Sequence, residues 1–232
     1  MNKIIIALDF STEKEIFDFL NKFNEPLYIK LGMELIYAFG LEIVEKIKKL
    51  GHDIFLDLKL HDIPSIVRKA MKNLAKLDIQ LINIHCSGGK QMMEAAVAGL
   101  KEGSVNKKLP LCIGVTQLTS TSKEIMNNEI LIPGEVDDVV ISYAKLAKEA
   151  GLDGVVCSVH EVKKIYEICG DDFLTVTPGI RLGDDLINEQ HRIATPELAK
   201  NNKCSHIVVG RSITNNKQPQ EVYKKIKKVM EE

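Results

Sequence analysis

No stretch of this chain stays apolar for the roughly 18 residues that a membrane span requires. The apolar run near its start, Ile4 to Leu8, is ended by Asp9 and is too short for a secretory signal. An excess of one charge is also missing: 31 Lys and Arg stand against 32 Asp and Glu, a net of −1. A balance so even offers no field for nucleic acid or an acidic membrane surface. The five cysteines, at positions 86, 112, 157, 169 and 204, form no C-x-x-C pair, and the six histidines show no H-x-x-x-H or H-E-x-x-H spacing. That pattern argues against a disulfide framework or a zinc cluster, and reads the thiols as small buried hydrophobes of a reducing compartment. Neither G-x-G-x-x-G nor G-x-x-x-x-G-K-[ST] occurs, so the glycine-rich nucleotide loops are absent too. The expectation is a cytoplasmic protein without a metal, a nucleic-acid partner or a membrane.

What is there is alternation. The chain has 232 residues, 45% of them hydrophobic and 27% charged, enough apolar material for a sizeable core. Short apolar or β-branched runs fall at Ile4 to Leu8, Leu27 to Leu31, Ile54 to Leu58, Leu81 to Ile84, Leu111 to Val115, Gly154 to Cys157, Phe173 to Thr177 and His206 to Val209. Stretches of helical spacing lie between them. Ile16, Phe19, Leu20 and Phe23 make one such stripe, Leu41, Val44, Ile47 and Lys48 a second, and Val139, Tyr143, Leu146 and Ala147 a third. The basic C-terminal stretch carries Val222, Ile226, Val229 and Met230 on one face, a last helix with a solvated lysine side. Eight βα units in this length predict a single (β/α)8 TIM-barrel domain over residues 1–232. An open doubly wound sheet is disfavoured, because the first strand runs into Ala7-Leu8-Asp9-Phe10-Ser11 without a glycine turn.

Polar residues collect where these strands end. Asp9, Lys30, Asp57 with Lys59, His85, Thr116, Thr177-Pro178-Gly179 and Gly210-Arg211 follow seven of the eight apolar runs. Chemistry in such barrels gathers at the C-terminal strand ends, so these residues predict one shared mouth. His85 reads as a rim residue with satisfied hydrogen bonds, and Ser87-Gly88-Gly89 as a tight strand-to-helix turn.

The densest cluster is Phe55-Leu56-Asp57-Leu58-Lys59-Leu60-His61-Asp62-Ile63-Pro64. A strand period of two puts Asp57 and Lys59 on one face, with Leu56, Leu58 and Leu60 toward the helices. Charges aimed into a barrel are costly unless paired, and Lys30 and Asp62 bring the four formal charges to zero. Carboxylate neighbours keep a central lysine protonated. Such an ammonium suits the stabilisation and protonation of a carbanion, and suits a Schiff base poorly. At the other end of the chain, Gly210-Arg211 after the last strand predicts a phosphate grip. The polar loop from Arg181 through Gln190 is long enough to serve as a lid.

These motifs together resemble the orotidine 5′-phosphate decarboxylase family nearly end to end. The likeness rests on Ile-Ala-Leu-Asp9, Ile-Lys30-Leu-Gly and Phe-Leu-Asp57-Leu-Lys59-Leu-His-Asp62-Ile-Pro. It continues in Val-Thr-Gln-Leu-Thr119-Ser, Thr-Pro178-Gly-Ile-Arg181, Gln190-His-Arg and Val-Val-Gly210-Arg211. The resemblance implies decarboxylation of orotidine 5′-monophosphate to UMP without cofactor or metal, in a homodimer of barrels with shared active sites. It casts Lys59 as the acid that protonates C6, Asp57 beside the substrate carboxylate and Asp62 in the neighbouring subunit's site, with Ile63 among the substrate-binding residues. It further implies Asp9 and Lys30 at the ribose, Thr119 at the pyrimidine edge, and Gly210, Arg211 and Gln190 at the phosphate. Pro178 and Arg181 would border that phosphate-side loop. One departure stands out: where the family commonly reads Asp-Ile-Pro-Asn-Thr-Val, this chain has Asp62-Ile63-Pro64-Ser65-Ile66-Val67. The threonine hydroxyl that would reach ribose across the dimer is lost, and weaker ribose binding is expected. Two other classes share parts of the pattern. A metal-assisted sugar-phosphate lyase would carry a carboxylate in place of Lys30, and a non-catalytic nucleotide-binding barrel would not need the full set of charges.

Overall fold

The computed structural model describes residues 4–182 and 194–231. Eight strands pair in parallel and in chain order: β1 (Ile4–Leu8), β2 (Tyr28–Gly32), β3 (Asp53–Leu60), β4 (Leu81–His85), β5 (Leu111–Val115), β6 (Gly154–Val156), β7 (Leu174–Thr177) and β8 (His206–Val209). β8 returns to β1 through Ile4 opposite Ile207 and Ile6 opposite Val209, which closes the barrel. The helices are α1 (Glu13–Leu20), α2 (Met33–Phe39), α3 (Glu42–Lys49), α4 (Pro64–Leu74), α5 (Gly89–Gly103), α6 (Val136–Glu149), α7 (Val162–Cys169), α8 (Pro196–Asn201), α9 (Arg211–Thr214) and α10 (Pro219–Glu231). The fold class read from the alternation is the one observed.

Two apolar layers follow from the strand period. Ile5, Ala7, Tyr28, Phe55, Ile113 and Val208 belong to a compact cluster inside the barrel. Their neighbours in sequence, Ile4, Ile6, Ile29, Ile54 and Leu56, pack outward with the helices. The helices bury one stripe each, as Ile16, Phe19 and Leu20 do on α1, whose first turn is closed by a reciprocal Thr12–Glu15 capping box. Three stripes are rotated from expectation: on α3, Ile43 joins Val44 and Ile47 in the core while Leu41 is exposed. On α6 the buried line is Val140, Ala144 and Ala147, with Tyr143 and Leu146 half-buried beside it, because small alanines admit the closest approach. On α10, Tyr223 joins Ile226 and Met230 in the core and meets Phe23 edge-on at 5.8 Å, while Val222 and Val229 sit at the margin. All five cysteines are buried free thiols. No described helix is long and apolar enough to cross a membrane.

The α4–α5 contact is close enough to require glycine. A Cβ built on Gly99 would fall on the Arg68 carbonyl oxygen and lie 2.9 Å from its carbon, both backbone atoms that cannot swing away. Overpacking of this kind costs about 1–3 kcal/mol, against the ~1 kcal/mol that alanine gains in helix propensity. Gly99→Ala is therefore expected to lower the thermal midpoint by a few degrees in a calorimetric or circular-dichroism melt.

Candidate active site

The strand ends converge on a cavity of about 330 Å³ at the C-terminal mouth of the barrel. Its apolar floor is drawn from the inner layer, with Ala7, Phe55, Val176 and Val208 among its lining. Above that floor stand Asp9, Lys30, Asp57 and Lys59, brought together from β1, β2 and β3. Lys59 Nζ lies 2.7 Å from Asp57 Oδ1, and Lys30 Nζ lies 3.3 Å from Asp57 Oδ2 and 3.6 Å from Asp9 Oδ1. Both oxygens of one buried carboxylate thus face an ammonium. Burial pushes the Asp57 carboxyl up, yet the Lys30 and Lys59 charges and the hydrogen bonds from Lys59 and Asn83 outweigh it, leaving the group below its ordinary range. The Asp57 carboxyl is thereby held ionised.

Lys59 does not reach this position by simple alternation. β3 breaks its register with β4 between Leu56 and Leu60, and Lys59 takes a left-handed backbone, φ 52°. The bulge bends the strand tip and aims the lysine at Asp57. Leu58 and Leu60 still pack toward the outer core, as the period of two predicts.

The remaining expected residues divide into two groups. Thr119, Pro178, Arg181, Gly210 and Arg211 all line the same cavity. Arg211 opens the short α9 directly after β8, and Gly210 is that helix's N-cap residue. Arg181 is anchored by its own N–H, which donates to the Ala194 carbonyl at 2.9 Å. Gln190, and most of the expected lid, lie outside the described residues. Asp62 and Ile63 do not border the cavity of their own chain. Asp62 Oδ1 accepts the Ile63 N–H at 2.6 Å just ahead of Pro64, the first residue of α4. Ile63 and Ile66 are 63% and 45% exposed, large apolar side chains facing out beside Asp62.

Two polar strand-end residues turn out to be spent on the barrel itself. The Thr116 hydroxyl donates to the Val156 carbonyl at 2.8 Å, and the Thr177 hydroxyl to the His206 carbonyl at 3.0 Å. His85 sits half-buried beside His61, ring centroids 5.6 Å apart. Burial, with the neighbouring His61 and Lys59 charges, lowers its pKa against the pull of Asp57. Asn83 and Gln117, neither of them expected as site residues, are both buried and both line the cavity. Asn83 had a signal: it is the only polar residue within the Leu81-Ile82-Asn83-Ile84 run, two residues before His85 and so on the same strand face. Among the described residues, no three His, Cys, Asp or Glu side chains gather as a metal site.

A closed parallel barrel with an ammonium–carboxylate array at its C-terminal mouth has the architecture of a (β/α)8-barrel enzyme. Residues 2–226 match the family described as "Orotidine 5'-phosphate decarboxylase / HUMPS family", and the chain belongs to that family. A relative named orotidine 5′-phosphate decarboxylase from Lysinibacillus sphaericus is 55% identical over 230 residues, covering 99% of this chain and 98% of its own. One of the same name from Bacillus cytotoxicus is 53% identical, covering 98% and 97%. Among solved structures, orotidine 5′-phosphate decarboxylase from Lactobacillus acidophilus superposes with a TM-score of 0.90 at 42% identity, covering 100% of both chains.

Proposed function

We infer that this chain is a carboxy-lyase that converts orotidine 5′-monophosphate to UMP and CO2 in pyrimidine biosynthesis. The observation that carries the reading is the Lys30–Asp57–Lys59 array within the barrel mouth of a chain that belongs throughout to this family. In the proposed reaction the bond from C6 to the carboxylate breaks, CO2 leaves, and the electron pair stays on C6. That vinylic carbanion has no adjacent carbonyl to spread its charge, so fixed positive charge must stabilise it, and the Lys59 ammonium supplies it. Lys59 then gives its proton to C6 and is reprotonated from solvent. No cofactor is required in this scheme. Asp57 already has an ammonium against each oxygen, which suits charge stabilisation better than metal ligation. Lys30 in place of a carboxylate likewise disfavours the metal-assisted lyase.

In this reading Asp9 and Lys30 are assigned to the ribose hydroxyls, Thr119 to the pyrimidine edge, and Gly210 with Arg211 to the phosphate, with Pro178 and Arg181 beside it; that all of them line one cavity supports the assignment. Gln190 is assigned to the phosphate by resemblance alone. We place Asp62 and Ile63 in the site of a second subunit of a homodimer. The exposure of Asp62, Ile63 and Ile66 on one outward-facing turn supports that assignment. Five buried thiols suit a reducing cytoplasm.

The direct test is the loss of orotidylate absorbance, with release of CO2, on incubation with chelator-treated protein. Turnover that needs added magnesium would favour the metal-assisted lyase, and tight UMP binding with no CO2 would favour a binding module. Arg211→Ala is expected to raise KM roughly 30-fold, since a charge-assisted phosphate contact is worth about 2 kcal/mol at the low end for an exposed arginine. Steady-state kinetics check this, and an unchanged KM removes Arg211 from the phosphate site.

A further inference from the structure

The bulge in β3 has an unusual shape. Leu56 pairs with Ile82 and Leu60 with Ile84, so Asp57, Leu58 and Lys59 together face one residue of β4, Asn83. On its other side Asn83 keeps regular register with Ile113 of β5. The side chain of Asn83 occupies the place of the missing ladder bonds. Its Oδ1 accepts the Lys59 N–H at 2.7 Å, and its Nδ2 donates to Asp57 Oδ1 at 2.6 Å. That carboxylate oxygen is the same one that receives Lys59 Nζ at 2.7 Å. Asn83 is 1% exposed, so neither bond is readily replaced by bulk water. An N–H on one side and a carboxylate on the other also fix which way the amide points.

We propose that Asn83 is a positioning residue for the decarboxylation: its carboxamide pins Lys59 in the left-handed backbone conformation and locks the Asp57 carboxylate, so that the Lys59 ammonium stands at a set point in the cavity. The assignment rests on the decarboxylase reading of this site. A non-glycine residue at positive φ persists only where its surroundings hold it there, and Asn83 is the group that takes its N–H. Without that acceptor the tip of β3 relaxes and the ammonium moves. A misplacement of about 1 Å is enough to cost on the order of 100-fold in rate. The donor half acts on Asp57, which Lys30 faces from β2, Lys59 from its own strand and Asn83 from β4. Asp9 of the β1 end stands behind Lys30, and His85 lies further along β4. Removing one donor from a buried carboxylate raises its pKa.

The test compares Asn83→Ala and Asn83→Asp with the unaltered enzyme. Asn83→Ala loses both bonds, and kcat is expected to fall about 100-fold with KM changed less than about threefold. Asn83→Asp keeps an acceptor for the Lys59 N–H but sets a second carboxylate against Asp57. Its kcat is expected to fall as well, with the acid limb of the kcat–pH profile moved up by about one unit or more. Circular dichroism and UMP affinity establish that each variant is folded, and the near-isosteric aspartate carries the test if the alanine variant does not fold. A folded variant with the original kcat and acid limb overturns the proposal. So does a loss shared between kcat and KM with an unmoved pH profile, which is the mark of a merely structural residue. If the unaltered enzyme leaves orotidylate intact, the reading of the site fails and this assignment falls with it.

Discussion

Lys59→Ala is expected to abolish detectable decarboxylation while UMP affinity stays within about tenfold of the original. Proton delivery by a placed acid is worth roughly 10²–10⁴ in rate, and a preorganised charge against a developing anion roughly 10²–10³ more. Lys59 supplies both in the proposed mechanism, so kcat falls by about 10⁴-fold or further. UMP carries no developing charge at C6, and the phosphate, ribose and pyrimidine contacts assigned to Arg211, Lys30 and Thr119 do not pass through Lys59. The measurement is orotidylate loss beside a UMP binding titration on the same preparation. Activity near that of the unaltered enzyme would remove Lys59 from its role. Loss of UMP binding in parallel would show instead that the array collapses when one cation is taken away.

Most of the barrel was legible because a parallel strand buried on both faces reads as a short apolar run whatever surrounds it. The runs at Ile4 to Leu8, Leu111 to Val115 and His206 to Val209 coincide with β1, β5 and β8, and the other strands differ only at their ends. The chemistry-bearing ends of β1, β2 and β3 were visible for a related reason, since a lysine or aspartate closing an apolar run has little place in a packed interior. Local irregularity was less visible. Nothing in Asp57-Leu58-Lys59 announces a left-handed residue, because no glycine marks it, and the conformation depends on Asn83 from another strand. Thr116 and Thr177 looked like site residues because a hydroxyl at a strand end carries the same sequence signal whether it faces a substrate or a ladder carbonyl. The rotated stripes of α6 and α10 have a similar origin: helical spacing defines a face only to within about one residue, and alanine and tyrosine decide its centre by size.

A dimer of two defective chains is expected to work where each parent does not. Asp62 follows Lys59 by three residues, yet it lies past the end of β3, exposed, and outside the cavity that Lys59 enters. In the proposed homodimer it completes the partner's array, so every site of a Lys59→Ala dimer lacks the acid and every site of an Asp62→Ala dimer lacks the carboxylate. Both homodimers are expected to be severely impaired. When the two chains are mixed in equal amounts, half the dimers carry one of each. In such a dimer the Lys59→Ala subunit holds a site with both defects. The other subunit keeps its own Lys59 and receives an intact Asp62 from its partner. About a quarter of all sites therefore recover full activity, with the KM of the original enzyme. If Asp62 serves its own chain, every site in the mixed dimer still lacks one essential group, and nothing recovers. The experiment dissociates the two inactive variants together by dilution or mild denaturant, reassociates them, and follows orotidylate loss. Native mass measurement counts the mixed dimers. Mixed dimers without activity would return Asp62 to its own subunit, whereas recovery near a quarter ties its exposed position beside Ile63 and Ile66 to a site that two chains build together.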